Sequence, residues 1–181
     1  YRSGIENTIK ELSKHYELSV LSGDDEGEKE NLERIFSNES RIWFRQSPSE
    51  KLDFIKLVQS FGKKVLMVGD GLNDAGSLAQ SNVGVAVTED ISNFSPACDA
   101  ILDASELNKI PLFLKFSKQS IKIIILSFII SFVYNFVGLS FAIQGALTPI
   151  VAAILMPISS ISVVIFATFT TNFLAKREGL L

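Results

Sequence analysis

The chain has 181 residues and a net charge of -3, which leaves room for one ordinary domain plus an appendage and excludes the basic signature of a nucleic-acid binder. Its charges are unevenly spread: every acidic residue except Glu178 lies at or before Glu106, and no Asp, Glu, Lys, Arg or His occurs from Ile123 to Ala175. One cysteine, Cys98, excludes an internal disulfide framework and suits a reducing compartment.

Taken in order, Ser3 to Ser13 carries Ile5, Ile9 and Leu12 at helical spacing. Tyr1 opens on the lead-in to that helix, without a methionine or a signal-peptide pattern, so the chain is expected to be a fragment of a longer protein. Tyr16 to Leu21 is a β-prone run ending at Ser22-Gly23-Asp24. Glu26 to Phe36 reads as a charged helix and Ile42 to Phe44 as a short strand. Ser47-Pro48-Ser49-Glu50 has the form of a capping box with proline at the first helical position, and Leu52, Ile55, Leu57 and Val58 give the following helix a core face. Lys64 to Val68 predicts a strand, Asp74 to Gln80 a short helix and Val83 to Val87 a further strand. This alternation predicts an α/β fold, a parallel sheet with helices on both faces. Ligands bind beyond the carboxyl ends of such strands, where Asp24 and Asp70 fall.

Met67 to Gly76, MVGDGLNDAG, sets Asp70 and Asp74 four residues apart on a glycine-lined turn. Two close carboxylates repel unless a cation lies between them, and Mg²⁺ is held by one or two carboxylates plus phosphate oxygens and waters. Gly69 and Gly71 allow a tight turn and close approach of a ligand. Asn73 and Asp74 could also cap the next helix. A generic Asp-Gly pair is more often a surface turn, and Ser22 as a turn residue or Lys51 as a solvated helix lysine is equally ordinary.

The complete string VGDGLNDAGSLAQSNVGVAV resembles the hinge motif of P-type ATPases, ion pumps whose catalytic domain has the haloacid-dehalogenase fold. LSGDD, Leu21 to Asp25, is similar to the family's threonine-glycine-aspartate motif, with Ser22 in the hydroxyl position. SPSEK, Ser47 to Lys51, resembles its proline-x-aspartate-lysine motif. The resemblance implies that residues 1–106 are the C-terminal part of a cytoplasmic phosphorylation domain. It implies ATP and Mg²⁺ as cofactors and phosphoryl transfer by positioning and charge neutralisation. Ser22 then donates to a phosphoryl oxygen, Lys51 offsets its charge, and Asp70 and Asp74 hold Mg²⁺ with help from Asn73. Gly23, Asp24, Gly69 and Gly71 shape the cofactor site. Two positions depart from the pattern: Ala75-Gly76 stands where alanine-proline is usual, and Asp25 where asparagine is commoner. The aspartate-lysine-threonine-glycine nucleophile of the family does not occur here, so the chain alone is expected to be inactive and to be the C-terminal part of a pump.

The charge-free stretch is long enough for two crossings, since a bilayer core about 30 Å thick needs roughly 20 apolar residues as helix. Gln144 to Pro149 interrupts it, so transmembrane helices are predicted at 121–143 and 149–174, with a connecting helix at 107–120 and a tail at 175–181. Lys115, Lys118 and Lys122 precede the first and Lys176 and Arg177 follow the second, which puts both ends in the cytoplasm. Tyr134, Asn135, Met156, Ser159 and Ser160 are the polar or soft candidates inside the spans. Met156 and Ser160 share a helix face, and a thioether suits Cu⁺. Ordinary helix packing explains the same residues as well.

Tyr134-Asn135 followed by Met156 and Ser159-Ser160 is similar to the last two membrane helices of copper-transporting, heavy-metal P-type ATPases. That resemblance implies transported Cu⁺ or Ag⁺ at Tyr134, Asn135, Met156 and Ser160, a lipid bilayer of the bacterial plasma membrane, and a copper chaperone as partner. Pro157 stands where a small residue is usual and is expected to kink its helix. The cysteine-proline-cysteine motif that completes the subclass's metal path is absent from the sequence. Ser92 to Leu102, SNFSPACDAIL, is similar to the branch that supplies cytochrome oxidase assembly. Cys98 itself is expected to be a small buried residue and His15 a surface one. Three functions follow: part of a copper-exporting pump, a membrane-anchored phosphatase of the same fold, or a non-catalytic remnant.

Overall fold

The computed structural model describes residues 4–36, 41–70, 72–89 and 98–180. It divides into two compact units, Tyr1–Pro111 and Leu112–Leu181.

In the first unit, α1 (Ile5–Ser13) leads to β1 (Ser19–Leu21). The strand starts later than the β-prone run because the Tyr16 amide still donates to the Leu12 carbonyl, closing the last turn of α1. A 3₁₀ turn at Glu26–Glu28 precedes α2 (Lys29–Ile35), and β2 (Arg41–Trp43) pairs parallel with β1. Helix α3 (Pro48–Ser60) opens on the expected capping box: the Glu50 amide donates to Ser47 Oγ and the Ser47 amide to Glu50 Oε2. Strands β3 (Leu66–Gly69), β4 (Val83–Thr88) and β5 (Ala100–Asp103) form a second parallel sheet in the order β3-β4-β5, with α4 (Ala75–Gln80) between β3 and β4 in the chain. All described strand pairs are parallel, as predicted, but they form two hydrogen-bonded groups rather than one. Strand β5 is an addition to the elements that the sequence pattern predicts.

Core packing explains why α3 and α4 stand where they do. Ile55 of α3, Leu78 of α4 and Ala86 of β4 are buried. Trp43 of β2 packs its ring against Phe54 of α3 with centroids 4.6 Å apart, so α3 touches the first sheet through one residue and the core through the next. Helix α4 lies so close to β4 that a Cβ on Gly84 would strike the Leu78 carbonyl. A 3₁₀ segment, Ala104–Lys109, packs against α1 and leads into α5.

The second unit is a hairpin of α5 (Ile110–Ile143), whose first two residues belong to the first unit, and α6 (Pro149–Arg177). Thr148 accepts a hydrogen bond from the Val151 amide and Gly145 takes φ +69°, so the predicted break is a capped turn. Both helices are long and apolar enough to cross a membrane. Helix α6 remains helical through Pro157. On α5 the shielded positions Ile123, Ser127, Ser131, Tyr134 and Gly138 recur at steps of three or four; Ala152, Leu155, Ser159 and Val163 do so on α6. Such spacing keeps each set on one face of its helix, the seam of the hairpin. The other faces expose Phe128, Phe132 and Phe136, which suits lipid or further helices.

Candidate functional site

The carboxyl end of β3 carries the densest set of predicted residues. Lys51, in the first turn of α3, reaches across to Asp74: its Nζ lies 2.8 Å from Asp74 Oδ1, and the two side chains are only 12% and 10% exposed. Lys51 is therefore an internal counterion, not a solvated surface lysine. Asp74 stands at the N-cap position of α4 yet its side chain makes no capping bond, which corrects the expectation that it caps the helix. The carboxylate folds back over β3 instead. A Cβ on Gly69 would sit 2.5 Å from Asp74 Oδ2, so only glycine leaves room for it there. Burying two charges is costly unless they pair, and the match between Lys51 and Asp74 supplies that compensation.

Asp70 follows Gly69 and is exposed, with no hydrogen bond or ion pair among the described residues. Its two carboxylate oxygens are open to a cation. No three His, Cys, Asp or Glu side chains converge as a metal site among the described residues. One open carboxylate beside a second that is already shared with a lysine fits the Mg²⁺ mode, in which phosphate and water complete the shell. Asn73 is exposed on the same turn; Gly71 lies outside the described residues.

The β1 end is built separately. Ser22 donates its amide to the Trp43 carbonyl, and its Oγ accepts from the Asp24 amide at 3.1 Å. The loop after β2 is stitched to it: Gln46 N bonds to Ser22 O and Arg45 N to Asp24 O. Gly23 lies against this loop, 3.5 Å from the Gln46 carbonyl for an added Cβ. Arg45 holds a left-handed backbone (φ +57°) while its Nε pairs with Asp25 at 2.9 Å. Asp25, the departure from the familiar motif, thus has a local partner that spacing could not reveal. No bond joins the Ser22 group to the Lys51–Asp74 pair among the described residues.

In the hairpin the Tyr134 hydroxyl donates to the Leu155 carbonyl at 2.9 Å, crossing from α5 to α6. Asn135 Nδ2 approaches Ser131 Oγ at 3.4 Å, and Ser160 Oγ the Met156 carbonyl at 3.5 Å. Asn135, Met156 and Ser160 each follow a seam residue by one position. One residue is about 100° of helix. Antiparallel helices facing each other turn in opposite senses when viewed from one end, so that step carries all three to the same side of the hairpin. In agreement, Asn135 and Ser160 are exposed and Met156 is 73% exposed. Tyr134 stays in the seam.

Cys98 is half-buried, not buried as expected, and its thiol donates to the Ala100 carbonyl at 3.2 Å. His15 is exposed. Of the stretch Ser92 to Leu102, residues 92–97 lie outside the described residues.

No family model matches the chain. It is 33% identical over 153 residues to the probable copper-importing P-type ATPase A of Enterococcus hirae, covering 84% of this chain and 21% of that protein. It is 33% identical over 167 residues to a copper-exporting P-type ATPase of Staphylococcus epidermidis, covering 92% and 21%. The copper-transporting ATPase 1 of Mus musculus is 32% identical over 136 residues. Over most of its length this chain is a homologue of P-type ATPases. It spans about a fifth of the length of the bacterial P-type ATPases it matches. The structure of a zinc-transporting PIB-type ATPase in the E2.Pi state aligns with a TM-score of 0.79 over 92% of this chain and 27% of that one, at 18% identity, a likeness of fold. The catalytic CPx-ATPase domain CopB-B aligns with a TM-score of 0.52 at 29% identity over 63% of this chain. Membrane pumps among the homologues and two helices of crossing length make this P-type ATPase homologue part of an integral membrane protein.

Proposed function

We propose that the chain is the C-terminal part of an ATP-driven pump that exports Cu⁺, or another soft ion such as Ag⁺, through an aspartyl-phosphate formed on a residue outside this sequence. The observation that carries the reading is the buried Lys51–Asp74 pair folded over Gly69 at the end of β3, beside the open carboxylate of Asp70. Copper-transporting homologues support the cargo.

In this reading Lys51 neutralises charge on the phosphoryl group, as a point charge that Asp74 holds in place. Ser22 donates its hydroxyl to a phosphoryl oxygen while the Asp24 amide and the Gln46 loop fix its position. Gly23, Asp24, Gly69 and Gly71 let the backbone approach the phosphate, and Asn73 orients it from the turn. Asp70, with Asp74, would hold Mg²⁺; when bound, the ion neutralises charge on the transferring phosphate. In the membrane, Met156 offers the soft donor, Asn135 and Ser160 complete that part of the path on the same flank, and Tyr134 stands behind them in the seam. The α/β unit and both hairpin ends face the cytoplasm, on the strength of the flanking lysines and Arg177. A cytoplasmic copper chaperone is the fitting donor, and the bacterial plasma membrane the fitting location.

The test uses the full-length transporter. Asp74→Asn is expected to abolish phosphoenzyme labelling from ATP, and Met156→Leu to remove stimulation of ATP hydrolysis by Cu⁺ while labelling from phosphate persists. Normal labelling in Asp74→Asn refutes the catalytic assignment. Phosphatase activity with no metal stimulation in the unaltered protein points to a membrane-anchored phosphatase instead.

A further inference from the structure

We infer that Tyr134 is a positioning residue: its hydroxyl, given to the Leu155 carbonyl across the seam, holds α5 and α6 in the register that turns Asn135 and Met156 to one side. What that side carries rests on the copper reading above; the pin itself does not.

Three observations converge. The bond is short, 2.9 Å, and part-buried, and it crosses between helices, whereas Ser127, Ser140, Ser160 and Ser162 each donate to a carbonyl of their own helix. It lands one residue before Met156 and two before Pro157. Pro157 has no N–H, so the Ala153 carbonyl loses its usual partner and the helix ladder is weakest in this turn. A backbone so freed can rotate, and an external donor on the Leu155 carbonyl, two residues on in the same turn, opposes the rotation. The phenol also sits half-buried in the seam while Asn135, Met156 and Ser160 lie on the open flank. Tyr134 therefore acts on the flank through Leu155.

The experiment uses the full chain in lipid nanodiscs with Cys98→Ser, without metal. Asn135→Cys and Met156→Cys are introduced together and joined by a bis-methanethiosulfonate with a short alkyl linker. A second pair, Lys115→Cys and Glu178→Cys, reports the far end, where the native side chains meet at 2.8 Å. Tyr134→Phe should slow the first cross-link about 3- to 10-fold, the range of an interhelical hydrogen bond in lipid, and leave the second unchanged. 4-Aminophenylalanine at 134, which restores a donor, should restore the rate. Equal rates for Tyr and Phe overturn the proposal; so does an equal loss at both ends, which marks a hairpin that no longer forms. In the cysteine-free chain with Asn135 and Met156 intact, Tyr134→Phe should weaken Cu⁺ binding by a similar factor with its sulfur coordination signature unchanged. Loss of an oxygen ligand from that signature would make Tyr134 a ligand and overturn the pin as its role. Cross-linking as expected with no Cu⁺ bound by the unaltered chain keeps the pin and rejects the copper reading.

Discussion

The Lys51–Asp74 pair of the α/β unit is buried, whereas the hairpin's pair, Lys115–Glu178, lies at the end of the helices with the lysine 55% exposed. Apolar groups show the reverse. Among the described residues, every buried apolar one except Ala175 belongs to the α/β unit, while the hairpin exposes Phe128, Phe132 and Phe169 by 70%, 72% and 72%. Each unit is built for a different solvent. In water, oil is hidden and a buried charge is kept only with its partner; in lipid, oil faces outward and polar groups close their bonds within their own helix or, as at Tyr134, across the seam. The proposed chemistry follows the same division: charge is concentrated where a phosphoryl group would be neutralised, and the thioether of Met156 lies in the stretch without charged residues.

The sharpest way to break this comparison is to strip Asp74 of its partner. Lys51→Met should leave a buried, unpaired carboxylate and cost about 3–5 kcal/mol. Replacing both with apolar residues, Lys51→Met with Asp74→Leu, should recover most of that loss, because no buried charge is left alone. Denaturation of the full chain can be followed at Trp43, the sole tryptophan, which packs on Phe54 in the same unit. Similar stabilities for the single and double variants would show that the pair is not a mutual requirement.

Two glycines provide a smaller contrast. An added Cβ at Gly84 strikes the Leu78 backbone, so Gly84→Ala should force α4 off the sheet and cost about 1–3 kcal/mol. Gly138 lies on the hairpin seam with nothing within 4 Å of an added Cβ. Gly138→Ala should therefore cost nothing and stabilise α5 by up to about 1 kcal/mol, measured as thermal resistance of the hairpin in detergent. Equal costs at both sites would mean that close approach does not decide glycine use here.

How much of this was legible depended on the range of the interaction. The capping box at Ser47 to Glu50 is local chemistry and stood where its four letters put it. Both apolar helices were legible from composition alone. Lys51 and Asp74 are 23 residues apart, and no periodicity joins them; only the ordered motifs brought them together. Asp74 looked like a helix cap because capping is the local preference, and the pull of a buried ammonium overrode it. Strand β5 is four residues long with Ala100 and Ile101 exposed, too short and too mixed for a pattern. Arg45's left-handed backbone had no sequence signal, since neither glycine nor asparagine marks it. In the hairpin the spans were plain but their rotation was not, because a helix apolar on all sides has no preferred face. The seam became visible only when Tyr134 met Leu155.

The smallest expected effect is a titration that only one unit should feel. Glu50 closes the α3 capping box, and the hydrogen bond from the Ser47 hydroxyl, then that from the Ser47 amide, hold its carboxyl below its ordinary value. Glu17 is lowered in the same direction by its hydrogen bond from Lys63 and by that charge. A carboxyl whose value is lower folded than unfolded stabilises the fold above the unfolded value, about 4.3, and the contribution fades as pH falls through the folded one. Amide exchange at Ser47 and Glu50 should therefore rise relative to the intrinsic rate between about pH 4.3 and the lower folded value. Glu50→Gln keeps an acceptor without a titrating proton, so the step should vanish there while α3 still forms. No acidic residue lies between Ile123 and Ala175, so hairpin amides from Ser127 to Val164 should show no step over the same range. A step in those hairpin amides would mean that the two units do not respond independently to acid. Its absence at Ser47 would mean that the α3 cap holds with Glu50 protonated, and that the Ser47 hydroxyl alone fastens the start of the helix carrying Lys51.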